Sequence, residues 1–126
     1  YVLADPAAGE PEALLLATGS EVSVALAAHK SLAAEGVPTR VVSMPSWELF
    51  EAQDEAYRAS VLPPAVRKRL AVEAAAPHGW HRWVGEEGEV HGLERFGASA
   101  PYKDLAKAFG YTPEAVAARV KRMLGR

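Results

Sequence analysis

The chain of 126 residues contains no cysteine. Disulfides, a thiolate nucleophile and Cys-ligated zinc are therefore excluded. It also lacks asparagine and isoleucine and has a single glutamine, Gln53, while alanine makes up about a fifth of it. Scarce amides fit a thermophile, where labile residues are depleted. A GC-rich genome gives a similar bias. No apolar run approaches the roughly 18–20 residues of a membrane span, and no signal-peptide pattern precedes the first strand-like segment. The expectation is a cytoplasmic protein with no membrane partner. Positive charge is not in excess: the net charge is -2 and no basic stripe is present, so nucleic acid is not the expected partner. The chain opens on Tyr1-Val2-Leu3 rather than methionine, and "YVLAD" reads as a strand entered midway. It is expected to be a piece of a longer polypeptide, whose function need not reside in these residues.

Hydrophobic residues at 49% and charged residues at 24% are the balance of one globular domain with a real core. Residues 1–4 read as a short strand and "DPAAGEPE" (5–12) as a turn; together they form a lead-in to a core domain at 13–126. Ala13 to Ala17 is an apolar run of strand length, expected to be covered on both faces. From Glu21 to Glu35, Val22, Ala25, Leu26, His29, Leu32 and Ala33 share a helical face, and Gly36 is placed to end the helix in the left-handed conformation. "TRVVSM" (39–44) and "KRLAVEAAA" (68–76) read as further buried strands, and residues 89–93 as a weaker one. Ser46, Asp54 and Thr112 are placed to cap helices, the last followed by Pro113 and Glu114. Pro63-Pro64 stops the helix that Asp54 begins. A short helix is expected in "WHRWVG" (80–85) and another in "YKDLAKAF" (102–109). Strands alternating with helices predict an α/β fold with a largely parallel sheet covered on both faces.

Thr18-Gly19-Ser20 lies between a strand and a helix, where many α/β proteins hold a phosphate. One glycine and no lysine match neither the dinucleotide fingerprint nor the P-loop. The turn is explained as a helix start, with Ser20 or Gly19 as cap. A helix N-terminus is still an anion site in principle, so Gly19 and Ser20 are candidates for a small anion or regulatory ligand. His78 and His81 are three apart, with Glu73 and Glu86 the nearby ligand options, but no H-E-x-x-H pattern exists and no metal site is expected. His29 reads as a hydrogen-bonded packing residue. Glu73 lies near the carboxyl end of a buried strand, where ligands bind in such sheets; either it is a general acid or it accepts hydrogen bonds from nearby loop backbone. Trp80 and Trp83, in "HGWHRWV", belong to core packing or to a contact with another domain. Ser99, in the loop "ERFGASAP", is a cap or a contact with a neighbouring domain.

Taken in order, "ATGSEV", "VVSMPS", "QDEAYR", "SVLP", "VEA" and "FGASAP" make the chain resemble the C-terminal domain of transketolase. The resemblance covers nearly all of it. It implies a three-layer α/β/α fold around a five-stranded mixed sheet, the first strand antiparallel to the others. It implies a parent that moves a two-carbon ketol unit between sugar phosphates in the pentose phosphate pathway. The parent uses thiamine diphosphate and a divalent cation, magnesium or calcium, in a homodimer. It also implies that cofactor, metal and sugar phosphate are held by parts of the parent outside this chain, so no catalytic, cofactor-binding or metal-binding residue carries over to positions 1–126. The expected partners are the remaining domains of the same polypeptide and a second subunit. The domain's own role would be support of assembly or a regulatory site, with an exposed apolar surface around Trp80, Trp83 or Ser99 where the other domains sit. Two other readings stand beside it. One is the C-terminal domain of another thiamine enzyme, such as deoxyxylulose phosphate synthase or a pyruvate dehydrogenase beta subunit acting as a docking module. The other is a free-standing anion or nucleotide binder using Gly19 and Ser20.

Overall fold

The computed structural model describes residues 1–73, 79–92 and 112–126. His78, Ser99, the helix expected at 102–109 and the end of the strand expected at 68–76 lie outside them. The strands are β1 (Val2–Ala4), β2 (Ala13–Ala17), β3 (Thr39–Ser43), β4 (Arg69–Glu73) and β5 (Glu89–Gly92). The helices among the described residues are α1 (Glu21–Ala34), α2 (Trp47–Glu51), α3 (Glu55–Val61), α4 (His81–Val84) and α5 (Pro113–Met123).

The sequence "ALLLA" has no polar side chain, and it becomes the innermost strand. All five residues of β2 are buried, and β3 and β4 flank it in parallel, with Leu15 opposite both Val41 and Leu70. The sheet order is β1-β3-β2-β4-β5. β5 runs parallel to β4, whereas β1 pairs antiparallel with β3 at one edge. The sheet is therefore mixed, as the family resemblance implies and as the strand–helix alternation alone does not reveal.

Alternation along the strands builds the two cores. Ala13, Leu15 and Ala17 share one face with Val41, Leu70 and Val72, covered by Ala25, Ala28 and Leu32 of α1 and Val116 and Val120 of α5. Leu14 and Leu16 share the other with Val42 and Ala71, covered by Phe50 of α2, Val61 of α3 and Val84 of α4. The result is three layers, α/β/α. On α1 the packed line is Ala25, Ala28, His29 and Leu32, with Ala33 exposed. Ala28 takes the place expected of Ala33 because positions i, i+3, i+4 and i+7 form one stripe.

Local chemistry fixes the ends. Ser46 accepts from Leu49 N at 3.2 Å, Asp54 from Tyr57 N at 2.8 Å and Thr112 from Ala115 N at 3.2 Å. Gly36 has φ 79°, and the N–H groups of Gly36 and Val37 reach back to the carbonyls of Ala33 and Leu32. Those two bonds, with Val37 and Leu32 in the same core cluster, are the Schellman arrangement, which the left-handed residue permits.

Arg69 joins the layers at the start of β4. Its Nε donates to Val66 O at 2.9 Å, Nη1 to Trp83 O at 2.8 Å, and Nη2 to Pro63 O at 2.8 Å and Leu62 O at 3.3 Å. One guanidinium thus ties the proline-stopped end of α3 and the loop after it to α4. Burial lowers its pKa from the ordinary arginine value.

Candidate functional site

The chain passes from β2 to β3 on one side and then crosses back to place β4 on the other. In open α/β sheets a crevice forms at such a reversal, outside the carboxyl ends of the strands. Gly19 and Ser20 follow β2 there, Ser46 and Trp47 follow β3, and Glu73 ends β4. A cleft of about 810 Å³ opens at this edge, with Thr18, Trp47, Glu73, Trp80 and Arg82 in its wall.

The helix end in this crevice already carries a negative group. Gly19 takes φ 61°, and Ser20 is already helical at φ -68°, ψ -21°, so its side chain caps nothing. This corrects the expectation of a Ser20 cap: capping needs extended backbone, as Ser46, Asp54 and Thr112 have. Ser20 Oγ donates instead to Glu21 Oε1 at 3.2 Å. The N–H groups of Glu21 and Val22 turn back to the carbonyls of Thr18 and Gly19, both at 3.3 Å. Glu21 is only 8% exposed and places its carboxylate in the first turn of α1, at the positive end of the helix dipole. Glu48, Glu51 and Glu73 line the cleft itself, with Arg82 paired to Glu51. Glu73 is 9% exposed and has a polar partner of its own.

Trp80 and Trp83 do not form an exposed surface. They are 0% and 7% exposed, inside the core that contains Leu14, Leu16 and Val42. The Trp47 and Trp80 rings meet edge to face at 5.1 Å, as do those of Phe50 and Trp83 at 5.2 Å. Gly79, at φ 89°, makes the turn that lays α4 and both indoles onto the sheet, and a Cβ there would come within 2.6 Å of the Trp47 ring. Among the described residues the exposed large apolar side chains are Tyr1, Leu3, Leu49 and Tyr57 instead.

The three described histidines are separated. His81 is exposed at the start of α4, and His91 Nδ1 lies 3.0 Å from Arg119 Nη1, whose Nε donates to Glu89. His29 is 8% exposed, and its Nδ1 lies 2.8 Å from Thr39 Oγ1. Burial pulls the His29 pKa below its ordinary value of 6.5; the Thr39 hydrogen bond and Asp5 raise it less, and Lys30 lowers it slightly. The unfolded chain therefore takes up this proton before the folded one does. The stability His29 contributes is complete above about pH 6.5 and declines as pH falls toward the depressed folded value. Denaturation midpoints between pH 7.5 and 5.5 are expected to drop more steeply for the natural chain than for His29→Leu. Parallel curves would show that this proton is not coupled to folding.

A family description, "Transketolase-like TK C-terminal domain", matches residues 1–112. The chain belongs to this transketolase family. The transketolase of Geobacillus stearothermophilus is 53% identical over 126 residues, covering 100% of the chain and 19% of that protein. The transketolase structure from Leishmania mexicana superposes with a TM-score of 0.88 at 40% identity, covering 100% of the chain and 18% of the other. A structure described as a split gene transketolase, inactive beta4 tetramer, matches with a TM-score of 0.67 at 26% identity, covering 90% of the chain and 39% of the other. The chain thus spans about a fifth of the curated transketolases it resembles, and corresponds to their C-terminal portion.

Transketolase membership implies thiamine diphosphate and a divalent cation, and the described residues do not fit either. A diphosphate in the crevice would face Glu48, Glu51 and Glu73, and the first N–H groups of the neighbouring helix are turned back on their own chain. A cation would need several converging oxygen or nitrogen ligands, and no three His, Asp or Glu side chains converge in this way among the described residues.

Proposed function

We propose that this chain is the C-terminal domain of a cytoplasmic, homodimeric transketolase that transfers a two-carbon ketol unit between sugar phosphates. The parent uses thiamine diphosphate with magnesium or calcium, and the residues of this chain perform none of that chemistry. Their contribution is structural: a rigid three-layer body that docks against the remaining domains and the second subunit. The observation that carries this reading is the acidic crevice at the carboxyl edge of the sheet, lined by Glu48, Glu51 and Glu73, the place where such a fold would bind a phosphorylated cofactor. The split gene protein, described as inactive, supports it, because this chain matches part of that separate chain.

The reading is tested with the chain alone. Titration calorimetry with thiamine diphosphate and magnesium is expected to give no binding tighter than about 1 mM. A coupled assay is expected to detect no ketol transfer. Ketol transfer above background by residues 1–126 alone would overturn the proposal.

A further inference from the structure

A second cleft, of about 450 Å³, lies beside the amino end of β4, and Arg82 stands in the wall of both clefts. Arg58 of α3, Arg69 of β4 and Arg82 of α4 enter its wall, against one carboxylate, Glu55, among the described lining residues. Buried Phe50, Leu62 and Trp83, with Ala59 and Pro64, supply its apolar wall.

The three arginines are not equally engaged. Arg69 is held by four carbonyls, which take up four of its five N–H groups and leave its charge unneutralised. Arg82 pairs with Glu51 and lies 4.7 Å from the centre of the Trp83 ring. Arg58 has no ion pair among the described residues, and its Nε is buried without a hydrogen-bond partner. Trp83 Nε1 is also buried and unpartnered. Both of these orphaned atoms are donors of residues in this cleft; the third among the described residues, Trp80 Nε1, belongs to the crevice. A buried donor left unmatched is costly, so the wall is short of acceptors as well as of negative charge.

A phosphate supplies both. Guanidinium groups match its oxygens in a planar fork, and a mostly apolar cleft with a few converging polar groups, of some 300–1,000 Å³, is the usual form of a small-molecule site. We infer that this cleft binds a small organic phosphate, its phosphoryl oxygens on Arg58 and Arg82 beside Arg69, and its carbon portion against Trp83. The inference is independent of the catalytic role of any parent enzyme, and it moves the anion site away from Gly19 and Ser20.

The test is calorimetry and tryptophan fluorescence on the 126-residue chain, with glucose 6-phosphate and inorganic phosphate as probes. Glucose 6-phosphate is expected to bind with Kd below about 1 mM, and inorganic phosphate about tenfold more weakly. Arg58→Gln is expected to weaken the sugar phosphate about tenfold. Arg67→Gln, removing an arginine 75% exposed and outside the cleft, is expected to leave binding unchanged. Arg82→Gln carries the same expectation as Arg58→Gln, should that variant fail to fold by circular dichroism. No binding up to about 10 mM overturns the inference. So does an equal loss in Arg67→Gln, the mark of a diffuse field, or equal affinity for inorganic phosphate, the mark of an anion held without the aromatic wall.

Discussion

Replacing Trp80 with alanine is expected to lower the stability of the chain by about 4 kcal/mol, the range for a large aromatic removed from a core. For a domain of this size that moves the thermal midpoint by roughly 10–20 °C. The reasoning starts from complete burial: the indole is 0% exposed among Leu14, Leu16, Val42 and Met44, with Trp47 against its edge. Its Nε1 has no acceptor among the described residues, so the nitrogen adds nothing to offset the lost ring. Trp80→Phe keeps most of the packing and discards that nitrogen, and is expected to cost only about 1–2 kcal/mol. Chemical denaturation of the two variants measures both values. A Trp80→Ala cost under about 1 kcal/mol would mean that the side chain is a surface group, as surface substitutions have effects of that size.

Arg69→Met is expected to cost about 3 kcal/mol, although methionine preserves much of the buried stem. What disappears is the donor group serving the carbonyls of Leu62, Val66 and Trp83, and that of Pro63 alongside the Val66 N–H. Hydrogen bonds from a charged donor are worth more than neutral ones, and part-buried carbonyls left without donors add their own penalty. Arg69→Lys retains the charge but not the planar fork, so it is expected to recover less than half of the loss. The predicted signature is local as well as global: hydrogen exchange should accelerate first in residues 62–66 and in α4. A loss below about 0.5 kcal/mol in Arg69→Met would show that water replaces the guanidinium at little cost.

Where local chemistry decides, the sequence was sufficient. "ALLLA" has no polar side chain and must be covered on both faces, and it is. Ser46, Asp54 and Thr112 each stand before a helix in extended backbone, and each caps it. Gly36 stands where only a left-handed residue closes α1. Where two environments use the same residues, the sequence could not decide. Tryptophan next to arginine suits an interface and a core alike, and only the turn at Gly79 and the ring of Trp47 send Trp80 and Trp83 inward. Ser20 has the composition of a cap but the backbone angles of the helix. Arg69 carried no signal at all, since its four acceptors are backbone carbonyls assembled from the loop before it and from α4. The arginine cleft was hidden for the same reason: Arg58, Arg69 and Arg82 are spread over two dozen residues and meet only when α3, β4 and α4 pack.

The strand order also bears on how the chain leaves the ribosome. β2 is made early and can pair with β3 once Ser43 has emerged, but its other edge waits for Arg69 and the residues after it. At about 5–20 residues per second that interval lasts roughly one to five seconds. For that time the most apolar strand of the domain has an open edge, the feature that invites pairing with another chain. The step of nascent-chain folding most exposed to aggregation is therefore the arrival of β4, and slowing translation between Ser43 and Arg69 should increase misassembly more than slowing it after Glu73.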